Sequence, residues 1–87
     1  MMGSEELRRH IFDALVQTAP EVDTGALDPS VSFRDQFEID SVDFLNFVLT
    51  LEKILKVAIP EVDYPKLSSL NGCTSYLTAK LPARDDT

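Results

Sequence analysis

The 87-residue sequence has little of what metal proteins and most self-sufficient enzymes need. It contains one cysteine, one histidine and no tryptophan, so it can form no internal disulfide and offers no His/Cys cluster for zinc. The single Cys73 falls in an amphipathic pattern and is interpreted as a small core residue. His10 is interpreted as a surface residue. No calcium loop and no glycine-rich phosphate loop is present.

Basic residues and long apolar runs are also scarce. Eight Lys and Arg stand against 15 Asp and Glu, a formal net charge of −7, which disfavours nucleic acid and anionic membranes as partners. No apolar run approaches the roughly 18 to 20 residues that cross a bilayer, and the first residues are not typical of a targeting segment. We therefore expect a soluble, cytoplasmic protein without membrane insertion, whose partners carry basic surfaces.

What the chain does contain is helical periodicity. Apolar residues at three- and four-residue steps predict a first helix over Ser4–Ala19 with Ser4 as its cap. A second, strongly apolar helix is predicted from about Ser41 to Lys56, after a long loop that starts at Pro20. A short helix is predicted at 63–67, with Asp63 as its cap and Pro65 as an early proline.

Ser69 is the predicted cap of a last helix, which carries Leu70, Cys73, Tyr76, Leu77 and Leu81 on one face and ends at Pro82. No alternating strand pattern is present. The prediction is an all-α fold, a small bundle of four helices: three longer helices and one short one, with the long loop between the first and second. We expect one domain over residues 1–87, with a core of about 5–81 and a flexible tail at 82–87.

One position stands out as a candidate for chemistry. Asp40 and Ser41 lie at the start of the longest and most apolar helix, and Asp43 follows as expected for a capping box. A serine nucleophile needs a general base, and His10 is predicted on another helix, so no catalytic site is indicated. An Asp-Ser pair at a helix start is by itself more often a plain cap.

The order and spacing of the motifs around this pair resemble the acyl carrier proteins. The similarity runs through FRDQFEIDSV (33–42), the helix at 43–56, Ile59-Pro60-Glu61 and KLSSL (66–70), and covers about 5–81. It implies that a phosphopantetheinyl transferase attaches 4′-phosphopantetheine from coenzyme A to Ser41, next to Asp40. The protein would then carry acyl groups as thioesters for fatty-acid, lipid or specialised metabolism. It would be a monomeric carrier without catalytic residues.

The resemblance also implies two sets of binding residues. The expected acyl pocket lies between the helices and is lined by Phe44, Val48, Leu51, Ile59, Tyr64 and Leu67, each of which also fits an ordinary core position. The expected contacts with acyl-loading and acyl-processing enzymes are Glu38, Asp43, Asn46, Glu52 and Glu61.

Departures from the family pattern favour a specialised member. Glu38 replaces a glycine that family members usually have before the residue preceding Asp-Ser, and Val42 replaces the usual leucine. Asn46, Lys53 and Lys56 interrupt the acidic second helix that is typical of fatty-acid synthesis carriers. Asn46 and Lys53 belong to a polar recognition stripe along this helix. The apolar residues Phe44, Phe47 and Leu49 beside the stripe also favour a specialised member.

Three alternatives stay open. A helical interaction module without prosthetic group would use the Asp40-Ser41 pair only as a cap. A carrier for aminoacyl, polyketide or cell-wall alanine cargo would keep the arm and change the load. A small enzyme would need a base, a metal or a phosphate loop that the sequence does not offer.

Overall fold

Long amphipathic segments with strong caps fold as helices and set the architecture. The structure, a computed structural model, describes residues 3–80. Within that range every regular element is helical, which confirms the predicted all-α class. The α-helices are α1 (Ser4–Thr18), α2 (Phe33–Gln36), α3 (Ser41–Leu55) and α4 (Leu70–Lys80), and the 3₁₀ helices span Thr24–Ala26 and Glu61–Leu67.

Caps explain where the long helices begin. Asp40 caps α3 through its Oδ1, which accepts from the Asp43 N–H at 2.8 Å, and Asp43 returns a carboxylate oxygen to the Asp40 N–H at 3.5 Å. Ser69 caps α4 as predicted, because its Oγ accepts from the Gly72 N–H at 3.0 Å. The prediction for Ser4 is wrong: Ser4 is the first residue of α1, and Gly3 occupies the cap position.

The core lies where α1 packs along α3 and where α4 covers α1 and the Glu61–Leu67 helix. Phe33 and Phe47 meet edge to face in it, with ring centroids 5.4 Å apart. Cys73 is fully buried, as expected, and its Sγ–H donates to the Leu67 carbonyl at 3.2 Å. Burial raises the pKa of this thiol well above its ordinary value. The buried apolar residues of the three long helices are Leu7, Ile11, Ala14, Leu15, Phe47, Val48, Leu51, Leu55, Leu70, Cys73 and Leu77.

The connection between α1 and α3 is more ordered than the sequence predicted. It contains the Thr24–Ala26 turn and helix α2, whose cap Ser32 accepts from the Asp35 N–H at 3.1 Å. The Gln36 side chain closes the loop by donating to the Asp28 and Val31 carbonyls at 2.8 and 2.9 Å. A long loop in a compact domain must satisfy its backbone groups, and here one amide side chain does much of this.

The short helix before α4 also differs from its prediction. It begins at Glu61, two residues before Asp63, and it is a 3₁₀ helix that contains Pro65. Asp63 is not its cap, because its carboxylate accepts instead from the Tyr76 hydroxyl at 2.6 Å. This bond ties the 3₁₀ helix to α4.

A membrane-spanning helix was not expected, and within 3–80 none is long and apolar enough to be one. The same range contains no group of three or more His, Cys, Asp or Glu side chains placed to hold a metal ion. Leu81, the predicted stop at Pro82 and the predicted tail at 82–87 lie outside the described residues. The division into one domain with a core of about 5–81 stays a prediction.

Candidate functional site

Ser41 is the first residue of α3, and the capping box fixes its backbone. Its neighbours Asp40 and Asp43 use their carboxylates to satisfy each other's backbone N–H groups. The Ser41 side chain is exposed, and within residues 3–80 no hydrogen bond engages its hydroxyl. The first turn therefore presents this hydroxyl to solvent, while the two nearest carboxylates are occupied in the cap. Such a serine is accessible to an external enzyme, and no side chain of residues 3–80 is hydrogen-bonded to it as a base.

A mainly apolar groove opens beside Ser41. It has a volume of about 520 Å³ and lies between the first turns of α3, the Glu61–Leu67 helix and α2. We call it the Ser41 groove. Its lining residues are Arg34, Ser41, Val42, Phe44, Leu45, Glu61, Tyr64, Pro65 and Ser68.

A second concavity of about 610 Å³ lies on the approach to α3. It is lined by residues 34–40 and Asp43, among which are four acidic side chains. We call it the acidic hollow. Arg34 lines both the acidic hollow and the Ser41 groove, so it stands at the border between them. The sequence interpretation missed Arg34, although one signal was available: it is the only Lys or Arg between residues 10 and 52.

The six residues expected to line an acyl pocket separate into two groups. Phe44 and Tyr64 are half-buried and line the Ser41 groove. The other four are buried in the core cluster and do not line the groove. These four are Val48, Leu51, Ile59 and Leu67. The structure thus brings only two of the six to the serine, and the acyl-binding role of all six stays a prediction.

The five residues expected to meet partners are also placed differently from one another. Glu38 and Asn46 are exposed, and Glu61 is exposed on the rim of the Ser41 groove. Asp43 has its carboxylate in the capping box. Glu52 is half-buried, and its Oε2 accepts from the Ile59 N–H at 2.7 Å.

The exposed side of α3 was only partly foreseen. Val42, Leu45 and Leu49 are 63%, 41% and 46% exposed, and their spacing places them on one face of the helix. Phe47 was expected beside the recognition stripe, but it is 1% exposed and belongs to the core. Phe44 is half-buried against it, with ring centroids 6.1 Å apart.

These features fit a phosphopantetheine group. Such an arm needs a serine hydroxyl with open space around it, and the Ser41 hydroxyl borders open space in the groove. The arm supplies a flexible chain ending in a thiol that carries acyl groups. The chain's own residues would present the serine, and Phe44 and Tyr64 would offer apolar contact.

Comparisons with known proteins point to the same chemistry. The family model described as the phosphopantetheine attachment site matches residues 11–77. An acyl carrier protein from Lactobacillus acidophilus is 28% identical over 76 residues, covering 87% of this chain and 94% of the relative. Another from Chlorobium luteolum is 27% identical over 79 residues, covering 91% of this chain and 100% of the relative.

The fold has a relative among solved structures. The solution structure of a candidate acyl carrier protein from Anaplasma phagocytophilum superposes with a TM-score of 0.78 at 21% identity, covering 94% of this chain and 96% of that one. This likeness supports the fold, and the family-model match over 11–77 supports the family. The chain belongs to the acyl carrier protein family, whose prosthetic group is covalently attached 4′-phosphopantetheine.

Proposed function

We propose that Ser41 is the residue that carries the 4′-phosphopantetheine arm and that a phosphopantetheinyl transferase attaches it. The observation that carries this proposal is the exposed Ser41 hydroxyl beside the Ser41 groove. The loaded protein would hold acyl groups as thioesters and deliver them to other enzymes. Phe44 and Tyr64 would shelter the first part of the cargo, since they are the half-buried aromatic residues of the groove.

Intact-protein mass spectrometry tests this attachment. Wild type, Ser41→Ala and Ser75→Ala are incubated with coenzyme A, magnesium and a broad-specificity phosphopantetheinyl transferase. Ser75 is a matched control, because it is also an exposed helical serine but lies on α4. We expect a mass gain of one phosphopantetheine on wild type and on Ser75→Ala, and none on Ser41→Ala.

The fold should survive the substitution at Ser41. Asp40 provides the cap of α3, so Ser41→Ala should change the free energy of unfolding by no more than about 0.5 kcal/mol. Circular dichroism checks this. A mass gain that persists on folded Ser41→Ala would place the arm on another residue. No gain on wild type with several transferases would contradict the proposal as a whole.

We also propose that the carrier serves a dedicated lipid or secondary-metabolite pathway rather than general fatty-acid synthesis. Its α3 surface supports this, because the apolar residues Val42, Leu45 and Leu49 are exposed there beside Asn46 and Lys53. Partners would meet this surface with basic residues near Glu38 and Glu61 and with an apolar centre. A monomeric, cytoplasmic protein stays a prediction.

Turnover comparisons test the pathway. The loaded carrier and a generic acyl carrier protein are offered to general fatty-acid synthase enzymes at equal concentration. We expect a kcat/KM at least about tenfold lower for this carrier, equivalent to about 1.4 kcal/mol of lost recognition. Comparable kcat/KM values for the two carriers would contradict the specialised assignment and leave the attachment at Ser41 untouched.

A further inference from the structure

Attaching a phosphodiester to Ser41 creates an electrostatic problem in this chain. The phosphodiester adds one negative charge at the border of a strongly acidic surface. The acidic hollow contributes Asp35, Glu38, Asp40 and Asp43, and Glu61 lies on the rim of the Ser41 groove. Like charges that line neighbouring concavities repel, most strongly at low ionic strength.

Among residues 3–80, Arg34 is the only basic residue that lines either concavity, and it lines both. The two ion pairs within residues 3–80 are His10–Glu6 and Lys66–Asp63, so no described carboxylate lies within 4.0 Å of the Arg34 guanidinium. The side chain is exposed. The Arg34 guanidinium lies near several acidic residues but forms no ion pair with a described carboxylate. It is therefore available to a new anion at Ser41.

The backbone under Arg34 is firmly held. The preceding residue, Phe33, is 0% exposed, and its N–H donates to the Ser68 carbonyl at 2.7 Å. Ser32 caps the same turn, and the Gln36 side chain anchors its other end. Helix α2 therefore fixes the point from which the guanidinium reaches out, which reduces the entropy lost when it pairs.

We propose that Arg34 is a positioning residue for the prosthetic group and pairs with the phosphodiester that joins the arm to Ser41. This inference rests on the attachment proposed above. A guanidinium suits the role because it presents several N–H donors to phosphate oxygens in a planar fork. The pair offsets the repulsion from the acidic hollow and orients the start of the arm toward the Ser41 groove.

The test compares apo and holo forms of four proteins: wild type, Arg34→Gln, Arg34→Lys and Arg9→Gln. Arg9→Gln is the matched control, since Arg9 is an exposed arginine on α1 that lines neither concavity. Each protein is converted with coenzyme A and the transferase, and the mass gain confirms complete conversion. The thermal midpoint is then measured for each form, and the ³¹P spectrum is recorded for each holo form, with no acyl group on the arm.

For each protein we subtract the apo thermal midpoint from the holo thermal midpoint. At low salt we expect this difference to be about 2 to 5 °C lower in Arg34→Gln than in wild type. The ³¹P resonance should shift in the same variant. Arg34→Lys should recover part of both effects, and Arg9→Gln should match wild type. In about 1 M salt, where the screening length is about 3 Å, the difference in midpoint should largely vanish.

Other outcomes overturn the inference. If the apo-to-holo change in thermal midpoint is the same in Arg34→Gln and Arg9→Gln, Arg34 does not pair with the phosphate. A loss of stability of the same size in apo and holo Arg34→Gln would assign Arg34 to the fold. In a second set of holo proteins, loaded with acetyl or malonyl, an effect of Arg34→Gln that appears only with malonyl would assign Arg34 to the cargo. If wild type gains no mass, the attachment itself has failed.

Discussion

Helix α3 has two flanks that are packed in different ways. Toward α1 it is closed, since the two helices pack together and Val48 and Leu51 of α3, like Ile11 and Ala14 of α1, are 0% exposed. Toward the Glu61–Leu67 helix it leaves the Ser41 groove, where Phe44 is only half-buried. The closed flank carries the stability of the fold. The open flank leaves room beside the serine without disturbing that core.

The largest expected effect contrasts one residue from each flank. Leu51→Ala should lower the free energy of unfolding by about 2 to 5 kcal/mol, because it leaves a cavity in a filled core. Phe44→Ala should cost roughly 1 to 2 kcal/mol, because that side chain is only partly buried. Urea unfolding measures both. Equal costs would show that the flanks do not differ in packing.

Gly72 tests how closely the open flank's 3₁₀ helix approaches α4. A Cβ at Gly72 would lie 2.5 Å from the Lys66 carbonyl oxygen, a backbone atom that cannot turn away. Gly72→Ala should therefore lower the free energy of unfolding by about 1 to 3 kcal/mol. Gly25→Ala is the control, since its Cβ would meet only the Asp23 carboxylate at 3.3 Å. A Gly72→Ala variant as stable as that control would mean that the two segments separate easily.

The Glu52 side chain holds α3 to the segment that precedes the Glu61–Leu67 helix, through its bond to the Ile59 N–H. Glu52→Ala should lower the free energy of unfolding by about 1 to 2 kcal/mol, because the Ile59 N–H loses its acceptor. Glu52→Gln should retain most of the stability, since its amide oxygen still accepts. The same pair separates fold from recognition: weaker partner binding by folded Glu52→Gln would support the predicted docking role of its charge.

The smallest expected effect concerns the bond between Tyr76 and Asp63. The Tyr76 hydroxyl holds the pKa of Asp63 below its ordinary value of 3.8, with help from Lys66. The Asp63 carboxylate in turn raises the pKa of Tyr76 to about 12 from an ordinary 10.0. The lowered carboxyl pKa contributes stability above about pH 4 that is lost as the pH falls through the folded value. The raised phenol pKa contributes stability below pH 10 that is lost as the pH rises toward about 12.

Tyr76→Phe should therefore be slightly less stable than wild type between about pH 4 and 10. The difference should shrink at both extremes, where wild type loses the same bond. Urea unfolding at acid, neutral and alkaline pH measures it. A difference that is constant from pH 3 to pH 12 would mean that the hydroxyl contributes through packing rather than through this bond.

The sequence predicted the long helices well and the burial of individual side chains poorly. The period of the apolar residues located both ends of α1 and α3 and the start of α4 to within one or two residues, because their apolar stripes are long. Helix α2 was missed because four residues cannot show a period, and its helical state depends on the Ser32 cap and the burial of Phe33. Glu52 was predicted as a partner contact, and its bond to the Ile59 N–H could not be foreseen from the sequence.

The sequence predicted the motif around Ser41 but not the residues that line the groove beside it. Asp40, Ser41 and Asp43 are consecutive in one motif, so their arrangement is local. The groove depends on how the Glu61–Leu67 helix and α2 pack against α3, which no pattern along the chain reports. For that reason the sequence could not separate Leu51 and Leu67, which lie in the core, from Phe44 and Tyr64, which line the groove, and Arg34 was overlooked.

The burial of Cys73 has a practical consequence for anyone who wants to label or load this carrier. It is the chain's single cysteine, it is 0% exposed, and its pKa is raised, so at neutral pH it offers almost no thiolate. The thiol at the end of the arm is then the only one that reacts with a maleimide or exchanges a thioester. A fluorophore can be placed on the arm without mutating the protein, and an acyl group on the arm meets no accessible cysteine thiol of the fold with which it could exchange.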